Sequence, residues 1–162
     1  MNLADFLAEN CARNGEMLKM TFADFTDADL LVRPVPGANH AAWQMAHLIN
    51  SEINLVKMAD PNAPVERPAG FEKYQDKTHG VDDPAFFPKK QELADAFAQT
   101  RAATVKWIRS LNEQDMQRPL PERMHRMAPT VGALAIGIGT HGIMHMGQLQ
   151  VIRRKLGKPL LF

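Results

Sequence analysis

A chain of 162 residues, 45% apolar and 23% charged, has the size of one ordinary domain and enough apolar side chains for one core, so residues 1–162 read as a single globular unit. Its formal net charge of +1 offers no field to draw it to nucleic acid or anionic lipid, and the single cysteine, Cys11, excludes an internal disulfide framework and a cysteine-based zinc site. Asp5, Glu9, Arg13 and Glu16 interrupt the stretch where a signal peptide would be apolar, and no apolar run is long enough to span a bilayer, so a cytoplasmic protein is expected.

Four stretches repeat apolar residues at helical spacing, with no alternating strand pattern between them. The first runs from about Leu3 to Phe25, with Leu3, Leu7, Cys11, Leu18, Phe22 and Phe25 along one side. Pro34, Pro36 and Gly37 break the chain, and Asn39 stands where it would cap a second helix from about His40 to Ala59, ended by Pro61. Residues 61–87 then form a long link holding four prolines and the aromatic residues Phe71, Tyr74, Phe86 and Phe87. A link of more than about 15 residues inside a domain is either a functional flap or disordered, and these aromatic side chains predict a packed flap. The third helix spans about Lys89 to Leu111, with Leu93, Phe97, Thr100, Thr104, Trp107 and Leu111 on one stripe. A second link, 113–129, carries Arg118, Arg123, His125 and Arg126 and reads as a solvated loop, with an anchor for an acidic substrate as the alternative. Thr130 caps the fourth helix, which stops at Gly157 before Pro159 and sets Arg153, Arg154 and Lys155 against its C-terminal dipole. These elements predict an all-α four-helix bundle with a long loop between helices 2 and 3.

The chemistry concentrates in the fourth helix. In HGIMHMGQ, His141 and His145 are four residues apart, which puts both imidazoles on one face, a turn apart. The same face continues through Leu134, Ile138, Ile152 and Leu156, so the histidines interrupt a core stripe. Buried imidazole nitrogens need partners, and a metal ion satisfies both lone pairs. A third ligand must come from another helix, and His47 in WQMAHLINSE is the candidate. Its neighbours by helical angle are His40, Trp43, Gln44, Asn50, Ser51 and Asn54, whereas Met45, Ile49 and Val56 lie opposite. If His47 points inward, these polar groups line a pocket; if outward, they are wet surface. Three neutral imidazoles with an open position form a catalytic zinc arrangement, able to acidify a water to about pH 7 or to bind a thiol as thiolate. Nickel, copper and iron accept the same ligands. Asn50 and Gln148 are candidates for supporting the ligands or contacting substrate.

The pattern excludes two other chemistries. A zinc-protease helix needs Glu directly after its first histidine, where this chain has Gly142. A di-iron bundle needs two Glu-x-x-His motifs on helices, and the one present, Glu122 to His125, follows Pro121 in a link. His40, His79 and His125 lie in or beside loops and read as surface residues, with His79 the one that would offer a fourth contact. Tyr74 reads as packing and Cys11 as core. Gly139 falls with Ile136, Ile143 and Met146 opposite the histidines, a stripe that predicts close packing on a symmetry mate in a two-fold homodimer, the alternative being close packing within the chain.

In the stretches PGANHAAWQMAHLINSE and TVGALAIGIGTHGIMHMGQLQVIRRKLGKP, and in the order of its helices, the chain resembles the DinB-like superfamily, also called the DinB/YfiT group. The resemblance implies an up-down-down-up bundle, frequent dimers, and Zn2+ or Ni2+ held by three histidines that correspond to His47, His141 and His145. Characterised members include isomerases and S-transferases that use low-molecular-weight thiols such as mycothiol or bacillithiol. It implies no DNA binding. The leading expectation is therefore a metal-dependent, thiol-dependent S-transferase or isomerase on a small-molecule substrate. A hydrolase of a small ester or amide comes second, and a non-catalytic metal- or ligand-binding stress protein third.

Overall fold

Helix formation follows the apolar periodicity and a set of polar caps. The computed structural model describes residues 2–74 and 78–161. Its helices are α1 (Leu3–Phe22), α2 (Ala41–Ala59), α3 (Lys90–Ser110), a short α4 (Glu113–Gln117) and α5 (Val131–Lys155). Asn2 Oδ1 accepts the Asp5 amide at 2.8 Å to start α1, and Thr130 Oγ1 accepts the Ala133 amide at 3.2 Å to start α5. The Glu92 carboxylate accepts the Lys89 amide at 2.8 Å at the head of α3. The cap of α2 is His40, not Asn39. Its Nδ1 accepts the Trp43 amide at 3.1 Å, while Nε2 bonds Val81 O at 2.9 Å. His40 is thus fully buried rather than on the surface, and burial holds its pKa below the ordinary value.

The long helices form a ring in the order α1, α3, α2, α5: α1 and α2 each pack on α3 and α5. Consecutive α1 and α2 therefore occupy opposite corners, and α2 lies beside α5. Phe22, Met45, Ile49, Phe97, Trp107, Leu134 and Ile152 fill the centre. Leu3, expected on the inner stripe of α1, is 58% exposed because that stripe begins only at Ala4.

A charged pair crosses this centre. Arg101 on α3 bonds Glu52 on α2 at 2.7 Å, and its Nη1 donates to the carbonyl oxygen of Cys11 on α1 at 2.9 Å. Both charged residues are buried. Gly15 makes room for them, since a Cβ there would lie 3.0 Å from Arg101 Cγ. Cys11 belongs to the core, as expected, and burial pushes its thiol up to about 11. Gly139 also marks a close approach, but within the chain: its Cβ would come 3.2 Å from Asn14 Nδ2 on α1. The close approach at Gly139 is thus to α1 of the same chain, the alternative offered by the sequence.

The described part of link 61–87 is packed, with Phe71, Tyr74 and Phe87 buried and Tyr74 Oη donating to Phe86 O at 2.9 Å. Residues 75–77 lie outside the described residues. In the second link Met116, Leu120, Met124 and Ala128 face the core while Arg118, Arg123, His125 and Arg126 are exposed. A single antiparallel bridge, Pro119 to Thr130, closes this link on itself. No described helix is long and apolar enough to cross a membrane.

Candidate metal centre

The neighbouring positions of α2 and α5 decide the orientation of His47: it points inward. Its ring lies 5.2 Å from that of His141 and 5.3 Å from that of His145, centroid to centroid, and the two α5 rings are 4.9 Å apart. One ligand atom from each of the three lies within 4.8 Å of the others. Nitrogens arranged tetrahedrally around one zinc ion are roughly 3.4 Å apart, so the cluster has the scale of a single-ion site.

Electrostatics prepares these rings to be ligands. Burial lowers the pKa of all three, with proximity to His141 adding to the effect on His47 and proximity to Arg101 adding to that on His141. His145 is pushed down to about 3, by burial first and then by the other two rings. All three are therefore neutral near pH 7, with lone pairs available. No acidic or thiol group joins the cluster among the described residues. A cation is the natural complement to three unprotonated imidazoles, one buried and two half-buried, and the donor set fits one.

Two supporting residues hold the ligands in place. Gln44 Nε2 donates to Asn39 O at 2.9 Å, so its Oε1 is left to accept from His145 Nδ1, 3.1 Å away. That assigns the proton to Nδ1 and leaves Nε2 as the donor atom. Trp43 stacks on His47 at 4.7 Å with only 8° between the planes, fixing the ring's attitude. Both residues stand on the polar face recognised in the sequence. Their roles were missed there because helical angle gives a direction without a partner. Asn50 is engaged elsewhere: Nδ2 donates to Phe71 O at 2.9 Å and Oδ1 accepts from Arg67 Nε at 2.8 Å, so it ties the long link to α2. Gln148 is exposed, and His79 is exposed and outside the cluster.

A cavity of about 430 Å3 opens onto His47 and His141 between α2, α5 and the second link. Among the described residues, the loop residues bordering it are Met127 and Ala128, whereas the sequence suggested a functional flap from 61–87. A larger cavity, about 920 Å3, lies at the end of the bundle where α1 and α5 begin and touches none of the three histidines.

A helical bundle with a three-histidine cluster facing inward between its second and last long helices is the class that fold and site define. The chain belongs to the DinB superfamily, whose sequence profile matches residues 11–149. It is similar to a conserved protein from Enterococcus faecalis at 20% identity and a TM-score of 0.67, over 98% of this chain and 99% of that one. It is also similar to YfiT from Bacillus subtilis, described as a probable metal-dependent hydrolase with an unusual four-helix bundle topology. That likeness has 17% identity and a TM-score of 0.64, over 96% of this chain and 89% of that one. At these identities the likeness is one of fold. No curated protein of known function matches the chain.

Proposed function

We propose that this protein is a metal-dependent enzyme acting on a small molecule, with His47, His141 and His145 holding a divalent transition metal, and that it hydrolyses an ester or amide. The observation that carries the reading is the convergence of three neutral imidazoles within 4.8 Å, without an acidic or thiol group among them. This donor set suits Zn2+ or Ni2+. A cation held there would supply Lewis acidity, polarising a carbonyl and acidifying a water or thiol beside it. Three protein ligands leave a position for substrate, which favours a catalytic site over a closed structural one.

The chain's own residues bind and orient. Gln44 keeps His145 in one tautomer, and Trp43 holds the plane of His47. The apolar walls of the cavity set hydrocarbon surface beside His47 and His141. The Ser51 hydroxyl lines the same space and can donate to a substrate oxygen, whereas Thr140 Oγ1, which donates to Ile136 O at 3.0 Å, offers only lone pairs there. The likeness to YfiT, described as a probable metal-dependent hydrolase, supports hydrolysis.

One observation favours the thiol-dependent transfer or isomerisation that the sequence placed first. No carboxylate lines the cavity among the described residues, and Glu52 is bonded to Arg101 in the core. Water activation commonly recruits such a base, whereas a thiol, with a pKa of about 8.5, needs less help. An assay separates the two readings. Metal-loaded protein is tested on uncharged aryl esters and anilides in thiol-free buffer, then with a low-molecular-weight thiol and an electrophile. Turnover without thiol, abolished by a chelator and in His141→Ala, is expected. Turnover only with thiol establishes the second reading, and undiminished turnover by metal-free protein contradicts both.

A further inference from the structure

The cavity beside the histidines carries information about what enters it. Its volume of about 430 Å3 falls in the range of small-molecule sites. Apart from His47, His141 and the two hydroxyls, its lining is aliphatic or thioether, with Leu55, Leu134, Met127 and Met144 the large contributors. No Asp, Glu, Lys or Arg lines it among the described residues. An anionic or cationic group placed there would give up part of its hydration without meeting a charged side chain. Met127 and Met144 are 64% and 63% exposed, and their flexible thioethers can repack around varied apolar shapes.

Gly137 adds an independent observation. It sits inside α5, where glycine costs about 1 kcal/mol relative to alanine, yet a Cβ there would meet nothing within 4 Å. Packing within the chain therefore does not require glycine, in contrast to Gly15 and Gly139. Position 137 lines the cavity, so the missing side chain leaves that space open.

We infer that this cavity is a subsite for an uncharged, apolar substituent of the substrate, an alkyl or aryl group attached next to the reacting bond, and that Gly137 sets the length it accepts. The inference rests on the reading that the histidines hold a metal, and it deepens that reading by naming the substrate class. It places the carbonyl end of an ester, amide or thioester at the histidines and its hydrocarbon end between α2, α5 and Met127. Substrates whose corresponding end carries a phosphate or carboxylate are excluded from the subsite.

Alkyl hydroxamates provide the test, because their head group seeks a metal while their tail length is varied. Binding to the metal-loaded protein is measured by calorimetry from acetohydroxamate to octanohydroxamate, beside the ω-carboxylate form of the longest. Affinity is expected to rise roughly threefold to fourfold per methylene until the cavity is full, and to drop for the ω-carboxylate. In Gly137→Leu and Gly137→Phe the gain with chain length should collapse while metal content stays at the wild-type level. Affinity independent of chain length, equal affinity for the ω-carboxylate, or an undiminished chain-length gain in both variants would overturn the inference. Failure of the metal reading looks different: no hydroxamate would then bind through its head group. The tail preference would still be read from chemical-shift changes with 1-butanol through 1-octanol on metal-free protein, and a flat alcohol series would overturn the inference there too.

Discussion

Gln44 spends its amide on two fixed partners, the Asn39 carbonyl and the His145 ring. Residues in this supporting position commonly account for one to two orders of magnitude in metal affinity, so Gln44→Ala should weaken binding about 10–100-fold. Competition against a chromophoric chelator measures this, and an unchanged affinity would remove Gln44 from the site. A second consequence concerns pH. The unfolded chain protonates its histidines near 6.5, whereas His40, His47, His141 and His145 are held lower in the fold, His145 at about 3. Between those values the unfolded state binds more protons, so stability of the metal-free protein falls as pH drops from about 6.5 towards 3. Each histidine contributes at most about 1.4 kcal/mol per pH unit within its own window. Asp24 and Asp29, also held below their ordinary value, add to the loss only below about 4. The urea midpoint should be lower at pH 5 than at pH 7.5, and less so in His145→Asn. A midpoint insensitive to pH contradicts this assignment.

The helices themselves depend on a buried charge pair that joins three of them. Arg101→Ala would leave Glu52 buried without its partner, and such losses cost about 3–5 kcal/mol. Replacing both by apolar residues, Arg101→Met with Glu52→Leu, should recover most of that in urea unfolding. Equal losses in the single and double variants would mean that the pair matters for something other than its mutual compensation. At this scale much was legible in advance. The four long helices were bounded to within three residues because apolar periodicity and the Pro and Gly breaks coincide. What escaped was short or unusual. An imidazole capping α2 lies outside the usual set of cap residues. Helix α4 has five residues, too few for a period, and its signal was the reciprocal pairing of Asn112 with Asp115. The ring order escaped as well, since periodicity tells which face is apolar but not which helix covers it. For the same reason nothing in the sequence pairs Glu52 with Arg101.

Across the whole molecule, the His141/His145 pair was legible from four-residue spacing on an otherwise apolar stripe. The orientation of His47 was open until α2 was placed beside α5. The long link, read as a functional flap, is tied to α2 by Asn50, and among the described loop residues Met127 and Ala128 border the cavity. No local pattern distinguishes the two links, because which of them lies over the histidines depends on helix order. The central claim is that two helices far apart in sequence and adjacent in the fold supply one metal site. Its most direct test is metal content per chain after loading with zinc or nickel and desalting, in wild type, His47→Ala and His145→Ala, each checked for helical circular dichroism. About one ion per wild-type chain is expected, with a large loss in both variants while helix content is retained. Wild-type metal content in folded His47→Ala would contradict the account, because the pair on α5 would then hold the ion without α2.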